Sequence, residues 1–199
     1  MESLIVRVVG NDAYFKFGIV SLVIGQWREG INGIKIAPDD STSFHLSFDC
    51  REEVVIINLA DMIGISSLPE DKKIYWENIY IPFNCRRSTL TQIDGKISRI
   101  LAVFSWKIST HLELVDLVAQ NDLKRYQQLS PTEFRIINLI GQGADCHLIA
   151  KKMMRSIKTV RTHYRSACRK LGFDNQADLF RFARYISNNN CGSINTLCL

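Results

Sequence analysis

Residues 129–187 carry helix starts and stops at short, regular intervals, and that punctuation restricts the segment to a small helical bundle. Ser130-Pro131-Thr132-Glu133 is a helix start, with Ser at the cap, Pro in the first turn and Glu three residues on. Phe134, Ile137 and Ile140 fall on one face before Gly141-Gln142-Gly143 ends the helix, with Gly143 suited to a left-handed cap. A second short helix is expected over Asp145–Met153, with Leu148, Ile149 and Met153 turned inward. A tight connection through Met154-Arg155-Ser156 leads to a third helix, Lys158–Lys170, whose inner face is Val160, Tyr164, Ala167 and Leu171. Gly172 stops it, and a fourth helix, Asn175–Ile186, carries Leu179, Phe182 and Ile186 in one stripe.

Charge is concentrated in the same segment. From Leu129 onward there are eleven Lys/Arg against four Asp/Glu, whereas residues 1–128 hold fourteen against sixteen. Lys151 to Lys170 contains eight cations and no acid. Helix, short helix, tight turn, basic helix is a helix-turn-helix plan, and the imbalance suggests a nucleic-acid-binding module. Lys158, Arg161, Thr162, Arg165 and Arg169 share the outer face of the third helix. Long cations at that spacing reach base edges and flanking phosphates from one side of a groove.

The segment from Leu129 to Leu179 resembles the LuxR/FixJ/NarL-type DNA-binding domain. The matching residues are Leu129, Glu133, Gly143, Ile149-Ala150, Ser156, Lys158-Thr159-Val160, His163 and Lys170-Leu171-Gly172. The resemblance implies an all-α four-helix domain that binds double-stranded DNA. It places Arg161, Thr162 and Arg165 where family members read bases. It places Lys158, Thr159, Arg169 and Lys170 where they touch phosphate. It also implies dimerisation through the last helix. One departure is clear: the acid usual before Ile149-Ala150 is Leu148 here. His163 and Tyr164 are read as packing residues, and Cys146 and Cys168 as small buried ones.

Residues 1–120 read as an α/β domain, followed by a linker at 121–128 and, beyond the four helices, a flexible tail at 188–199. Leu4–Val9 is a strand, capped into a helix over Ala13–Trp27 by Asn11 or Asp12. Gly30 and Gly33 mark a loop. Ser43–Phe48, Glu53–Leu59 and Ile74–Phe83 are further strands, and Leu90–Val103 is a helix with Ile93, Ile97, Ile100 and Leu101 inward. Leu112–Val118 begins another. The unbroken apolar run of Glu53–Leu59 suggests burial on both faces, as in a parallel sheet. The opening, VRVVGNDAYFKFGIVSLV, resembles the first strand, loop and helix of a phospho-receiver. Gly10 and Asn11, however, stand at the acidic-pair positions, and Asn58 stands where the phosphoacceptor Asp is expected. Asn forms no acyl phosphate and Gly holds no metal. The resemblance is therefore to a degenerate receiver-like domain, such as that of the enterobacterial auxiliary regulators of capsule, fimbriae and curli.

No GxSxG, HExxH or Walker-type loop is present, and the six cysteines form no CxxC pair, so neither an enzyme nor a cofactor or metal is expected. Nothing reads as a signal peptide or membrane span, and a cytoplasmic protein is expected. The expected function is sequence-specific transcription regulation, independent of phosphorylation, with fimbrial or other surface-structure genes as the targets the resemblance suggests. The partners are DNA and a second regulator subunit, identical or different. The alternative is an adaptor that acts by capturing another response regulator. Trp76, Tyr80 and Trp106 are candidate partner contacts, with buried packing the plainer role for each.

Overall fold

The computed structural model describes residues 3–27, 33–58, 78–110 (side chains to 105), 128–189 and 196–199. The linker up to Gln127, Leu112–Val118, Trp76, the Trp106 side chain and Cys191 lie outside the described residues.

Strand β1 (Leu4–Val9) leads to helix α1 (Ala13–Gln26), which Asp12 caps by accepting from the Tyr14 and Phe15 N–H groups. Strands β2 (Ile34–Ala37), β3 (Leu46–Asp49), β4 (Val54–Asn58) and β5 (Asn78–Pro82) complete a sheet of order β2-β1-β3-β4-β5. β1 pairs in parallel with β2 and β3, whereas β3–β4 and β4–β5 are antiparallel. Helix α2 (Leu90–Thr110) follows. Its start is a reciprocal cap: the Gln92 amide oxygen accepts from the Thr89 N–H, and the Thr89 hydroxyl accepts from the Gln92 N–H.

The architecture is thus an α/β sheet followed by a helical domain, as expected, but the sheet is mixed. The direction of β4 has a simple cause. Only Cys50–Glu53 separates it from β3, and a parallel crossover needs a dozen or more residues. The turn is held by the Asp49 carboxylate, which accepts from the N–H groups of Arg51 and Glu52, and by Glu53 at φ +56°. β2 was not legible in the sequence, where Gly30 and Gly33 read only as a loop.

The burial of β4 on both faces has an origin that a parallel sheet does not explain. Val55 and Ile57 face a core shared with α1 and α2, together with Leu4, Val6, Leu46, Phe48, Ile79 and Ile81. Val54 and Ile56 face the other way, into a core built with Tyr80, Phe134, Phe173, Phe182 and Ile186. The sheet therefore lies between its own helices and the C-terminal domain. Tyr80 and Tyr185 meet edge to face, Arg87 pairs with Asp178 at 3.5 Å, and the Asn84 amide donates to the Gly172 carbonyl. Tyr80 is thus buried in the packing between the domains.

The end of the expected flexible tail is also packed. Thr196 bridges to Tyr80, the Leu197 N–H donates to the Tyr80 carbonyl, and Gln128 exchanges two hydrogen bonds with the Cys198 backbone. Thr196, Leu197 and Cys198 are buried. Free backbone groups on the β5 edge, together with an apolar Leu197, give these residues a place to dock.

Candidate nucleic-acid interface

The C-terminal domain comprises α3 (Pro131–Gly141), α4 (Cys146–Met153), α5 (Ile157–Leu171) and α6 (Gln176–Asn188). The Ser130/Glu133 capping box is fully formed. Asp145 caps α4 by accepting from the Leu148 N–H at 2.7 Å, so the missing acid at 148 leaves the helix start satisfied. Leu148 itself is 44% exposed rather than inward. Ile149 and Ala150 take the buried positions on that helix, in one cluster with Val160 of α5 and Ile136 of α3.

The turn between α4 and α5 is sharp because Met154 adopts φ +50°, ψ +49°, while the Arg155 N–H donates back to the Ala150 carbonyl. Ser156 then caps α5 by accepting from the Thr159 N–H. Val160, Ala167 and Leu171 anchor the inner face. Tyr164 packs half-buried, its phenol pushed up to about 12 by burial and by neighbouring Cys168. These contacts fix the rotation of α5.

That rotation presents Lys158, Arg161, Thr162, Arg165 and Arg169 to solvent. They span about 16 Å of helix on a single stripe, a length suited to a groove about 12 Å wide. None of the four cations pairs with an acid among the described residues, nor do the exposed Lys151, Lys152 and Arg155 at the end of α4 and in the turn. The last three extend the basic surface. Their signal was present in the acid-free run, but spacing along α5 alone did not include them. The Thr162 hydroxyl donates to the Lys158 carbonyl, so its oxygen is left to accept. Thr159 is half-buried, with its hydroxyl on that of Ser156.

Lys170 does not join this surface. Its ammonium donates to the Glu133 carboxylate at 2.7 Å and to the Gln128 carbonyl at 2.9 Å. The side chain is a structural tie between α5 and the start of α3, and it is withdrawn from the phosphate-contacting set. Burial pushes the Glu133 carboxyl up, but Lys170 and the N–H and hydroxyl groups of Ser130 and Ser166 outweigh it and hold the group at about 2. A carboxyl held low in the folded state contributes stability above its unfolded pKa, and that contribution fades as pH falls towards the folded value. Acid unfolding should therefore show a loss on the order of 2–3 kcal/mol between about pH 4.5 and pH 2. Glu133→Gln should be less stable at neutral pH and flatter through that window. Parallel pH profiles for the two proteins would show the group to be unimportant.

The apolar stripe of α6 is occupied inside the chain. Leu179, Phe182, Ala183 and Ile186 are buried against α3 and the sheet. Asp178, 2% exposed, takes Arg181 at 2.7 Å and Arg87.

Residues 127–183 match the family model described as bacterial regulatory proteins, luxR family. The match spans α3, α4, α5 and most of α6 of the C-terminal unit. The transcriptional regulatory protein RcsB of Escherichia coli K12 and that of Salmonella typhimurium LT2 are each 39% identical to this chain over 56 residues. The match covers 28% of the chain and 26% of each relative. Across the whole chain, solved structures of RcsB superpose loosely. A two-component response regulator RcsB–DNA complex gives a TM-score of 0.35 at 18% identity, over 92% of this chain and 99% of that one. A Salmonella typhimurium RcsB structure gives 0.29 at 18% identity, over 93% and 99%. No helix among the described residues is long and apolar enough to cross a membrane.

At the other end of the molecule, the structure corrects the place given to Asn58. It closes β4, which runs antiparallel, and its N–H donates to the His45 carbonyl before the start of β3. The residue that ends the strand beside β1 is Asp49, in register with Val9. Asp49 is 9% exposed and is engaged by the Arg51 and Glu52 N–H groups of the turn. Across from it, Gly10 and Asn11 carry no carboxylate, and the Asp12 carboxylate is committed to the α1 cap.

Proposed function

We propose that the protein is a sequence-specific DNA-binding transcription regulator. In this reading α5 enters the major groove. Arg161, Thr162 and Arg165 read bases, while Lys158, Thr159 and Arg169 hold phosphates, with Lys151, Lys152 and Arg155 beside them. The observation that carries the reading is the stripe of cations, paired with no acid among the described residues, on a helix fixed from behind by its own core. A cation without an acid partner in the folded chain keeps its charge for an external anion, and duplex DNA presents a regular array of them. Genes for fimbriae or other surface structures are the first targets to examine, on the resemblance to the enterobacterial auxiliary regulators.

We place its action outside phosphorelay control. Asp49 stands at the strand end, but its carboxylate serves the β3–β4 turn and no acidic pair among the described residues faces it. A divalent cation, needed to shield an incoming phosphoryl group, has no carboxylate cluster among the described residues to hold it there.

The test is duplex binding by the full chain against salt. Affinity should fall steeply, and linearly on logarithmic axes. Lys158→Ala should weaken operator and random DNA alike and reduce the salt slope by about one. Treatment with an acyl-phosphate donor should change neither the curve nor the mass. Salt-independent binding would overturn the DNA reading. A phosphoryl adduct on Asp49 would overturn the phosphorylation-independent one.

A further inference from the structure

β1, β3 and β5 run in the same direction, so the segments that leave them gather at one end of the sheet. There they enclose a cavity of about 430 Å³, within the range of small-molecule sites. It lies outside the carboxyl ends of the parallel pair β1 and β3, where the chain has passed from β2 on one side of β1 to β3 on the other. Open α/β sheets bind ligands in such a crevice. Phe15, Cys50 and Cys85 give the cavity an apolar lining. The contact with the Cys50 thiol, together with burial, pushes the Cys85 thiol up, so it meets a ligand as a neutral group and not as a nucleophile.

Arg51 and Arg86 also line the cavity, and each is about half exposed. Their acids lie behind them. The wholly buried Glu53 carboxylate is 3.0 Å from Arg86 Nε, and that of Asp49, 12% exposed, is 3.8 Å from Arg51 Nε. Glu53 is held at φ +56° and also accepts from the Cys85 N–H at 2.8 Å. A buried acid on a strained backbone is costly, and here it fixes the angle of one guanidinium. Both ion pairs use Nε. Arg86 Nη1 and both Nη groups of Arg51 meet no acceptor among the described residues. Asp12, the carboxylate in the lining, is spent on the first turn of α1.

We propose that this cavity binds a small organic oxyanion, a phosphate or carboxylate head on a compact uncharged body, and reports it to the C-terminal domain. Forked guanidiniums with free Nη groups match the geometry of such a head. The thiols and Phe15 suit the body. The report rests on adjacency in the chain. Arg51 is followed by Glu52, whose carboxylate is 3.9 Å from Arg184 of α6. Arg86 is followed by Arg87, which is 3.5 Å from Asp178 of the same helix. A guanidinium that turns towards a ligand therefore pulls on the next residue, and in both segments that residue holds α6.

The site goes beyond the reading of the protein as a DNA-binding regulator, and its test uses no DNA. Phenyl phosphate and benzoate are titrated into the isotope-labelled full chain while amide resonances are followed. Those of Gly10 and Asn11 should shift saturably, and those of Asp178 and Arg184 should move with them. The tighter of the two probes identifies the head group, and uncharged benzyl alcohol should not bind. Arg51→Gln and Arg86→Gln should each weaken the tighter probe by about tenfold or more, the loss of one charge-assisted contact. Arg51→Gln leaves Asp49 held by the turn N–H groups, so the fold is expected to be unchanged. Arg99→Gln, exposed on α2, should bind like the wild type. Silence at Gly10 and Asn11 with both anions, equal binding of benzyl alcohol, undiminished binding by Arg51→Gln, or shifts confined to the cations of α5 would each overturn the site. A response at the cavity that leaves Asp178 and Arg184 still would overturn the report to the C-terminal domain. DNA binding that fails while the titration succeeds would count against the regulator reading alone.

Discussion

Gly141→Ala is expected to destabilise the C-terminal domain by about 2–4 kcal/mol, although alanine is the better helix former. A Cβ on Gly141 would lie 2.1 Å from the Ala183 carbonyl oxygen, 2.5 Å from its carbon and 2.9 Å from the Arg184 nitrogen. All three atoms belong to the backbone of α6, so no side chain can swing aside. Helices α3 and α6 would have to separate, and the Phe134, Ile137, Phe182 and Ile186 contacts between them would loosen. Overpacking against a rigid neighbour outweighs the propensity gain of up to about 1 kcal/mol. Gly95→Ala on α2 is the contrast. Its Cβ meets nothing within 4 Å, and it should stabilise by about 0.5–1 kcal/mol. Urea midpoints for the two variants should move in opposite directions. A Gly141→Ala protein as stable as the wild type would mean that the helices do not approach this closely.

The second large effect concerns recognition. Arg161→Ala and Arg165→Ala should each remove about 1–3 kcal/mol of discrimination at particular base pairs. The double variant should then lose about a hundredfold or more at the operator and much less on random DNA. In the native host, sharp peaks of genomic occupancy should vanish while the melting temperature holds, since both side chains are exposed and bear no load in the fold. Equal losses on operator and random duplex would mean that the arginines touch phosphate only. Regulation that survives the double variant would shift the function to capture of another regulator.

The helix-turn-helix half was legible because its signals are local. Caps at Ser130, Asp145, Ser156 and Asn175 and the left-handed glycines at 143 and 172 lie within a few residues of what they control. The outward face of α5 followed from helical spacing alone. Lys170 did not, because its partner Glu133 lies 37 residues away. In the sheet, the four-residue link between β3 and β4 was visible and already required a hairpin. Weight given to the apolar run instead led to a parallel strand, and so to Asn58 rather than Asp49 at the strand end. The tail read as frayed because its polar composition says nothing of the unpaired β5 edge that receives Leu197. The cavity at the sheet's end was hidden for a related reason: Phe15, Arg51 and Arg86 meet only in the fold.

The alternation in β4 narrows what mutation can do there. A strand of a solvated sheet has a face on which polar drift is harmless. Val54 and Ile56 press on the C-terminal domain, while Val55 and Ile57 press on the helices behind, so no such face exists. Selection on the packing of the C-terminal domain therefore extends into a strand of the sheet before it. Lineages that repack that domain will carry compensating changes in β4 as well as in α6.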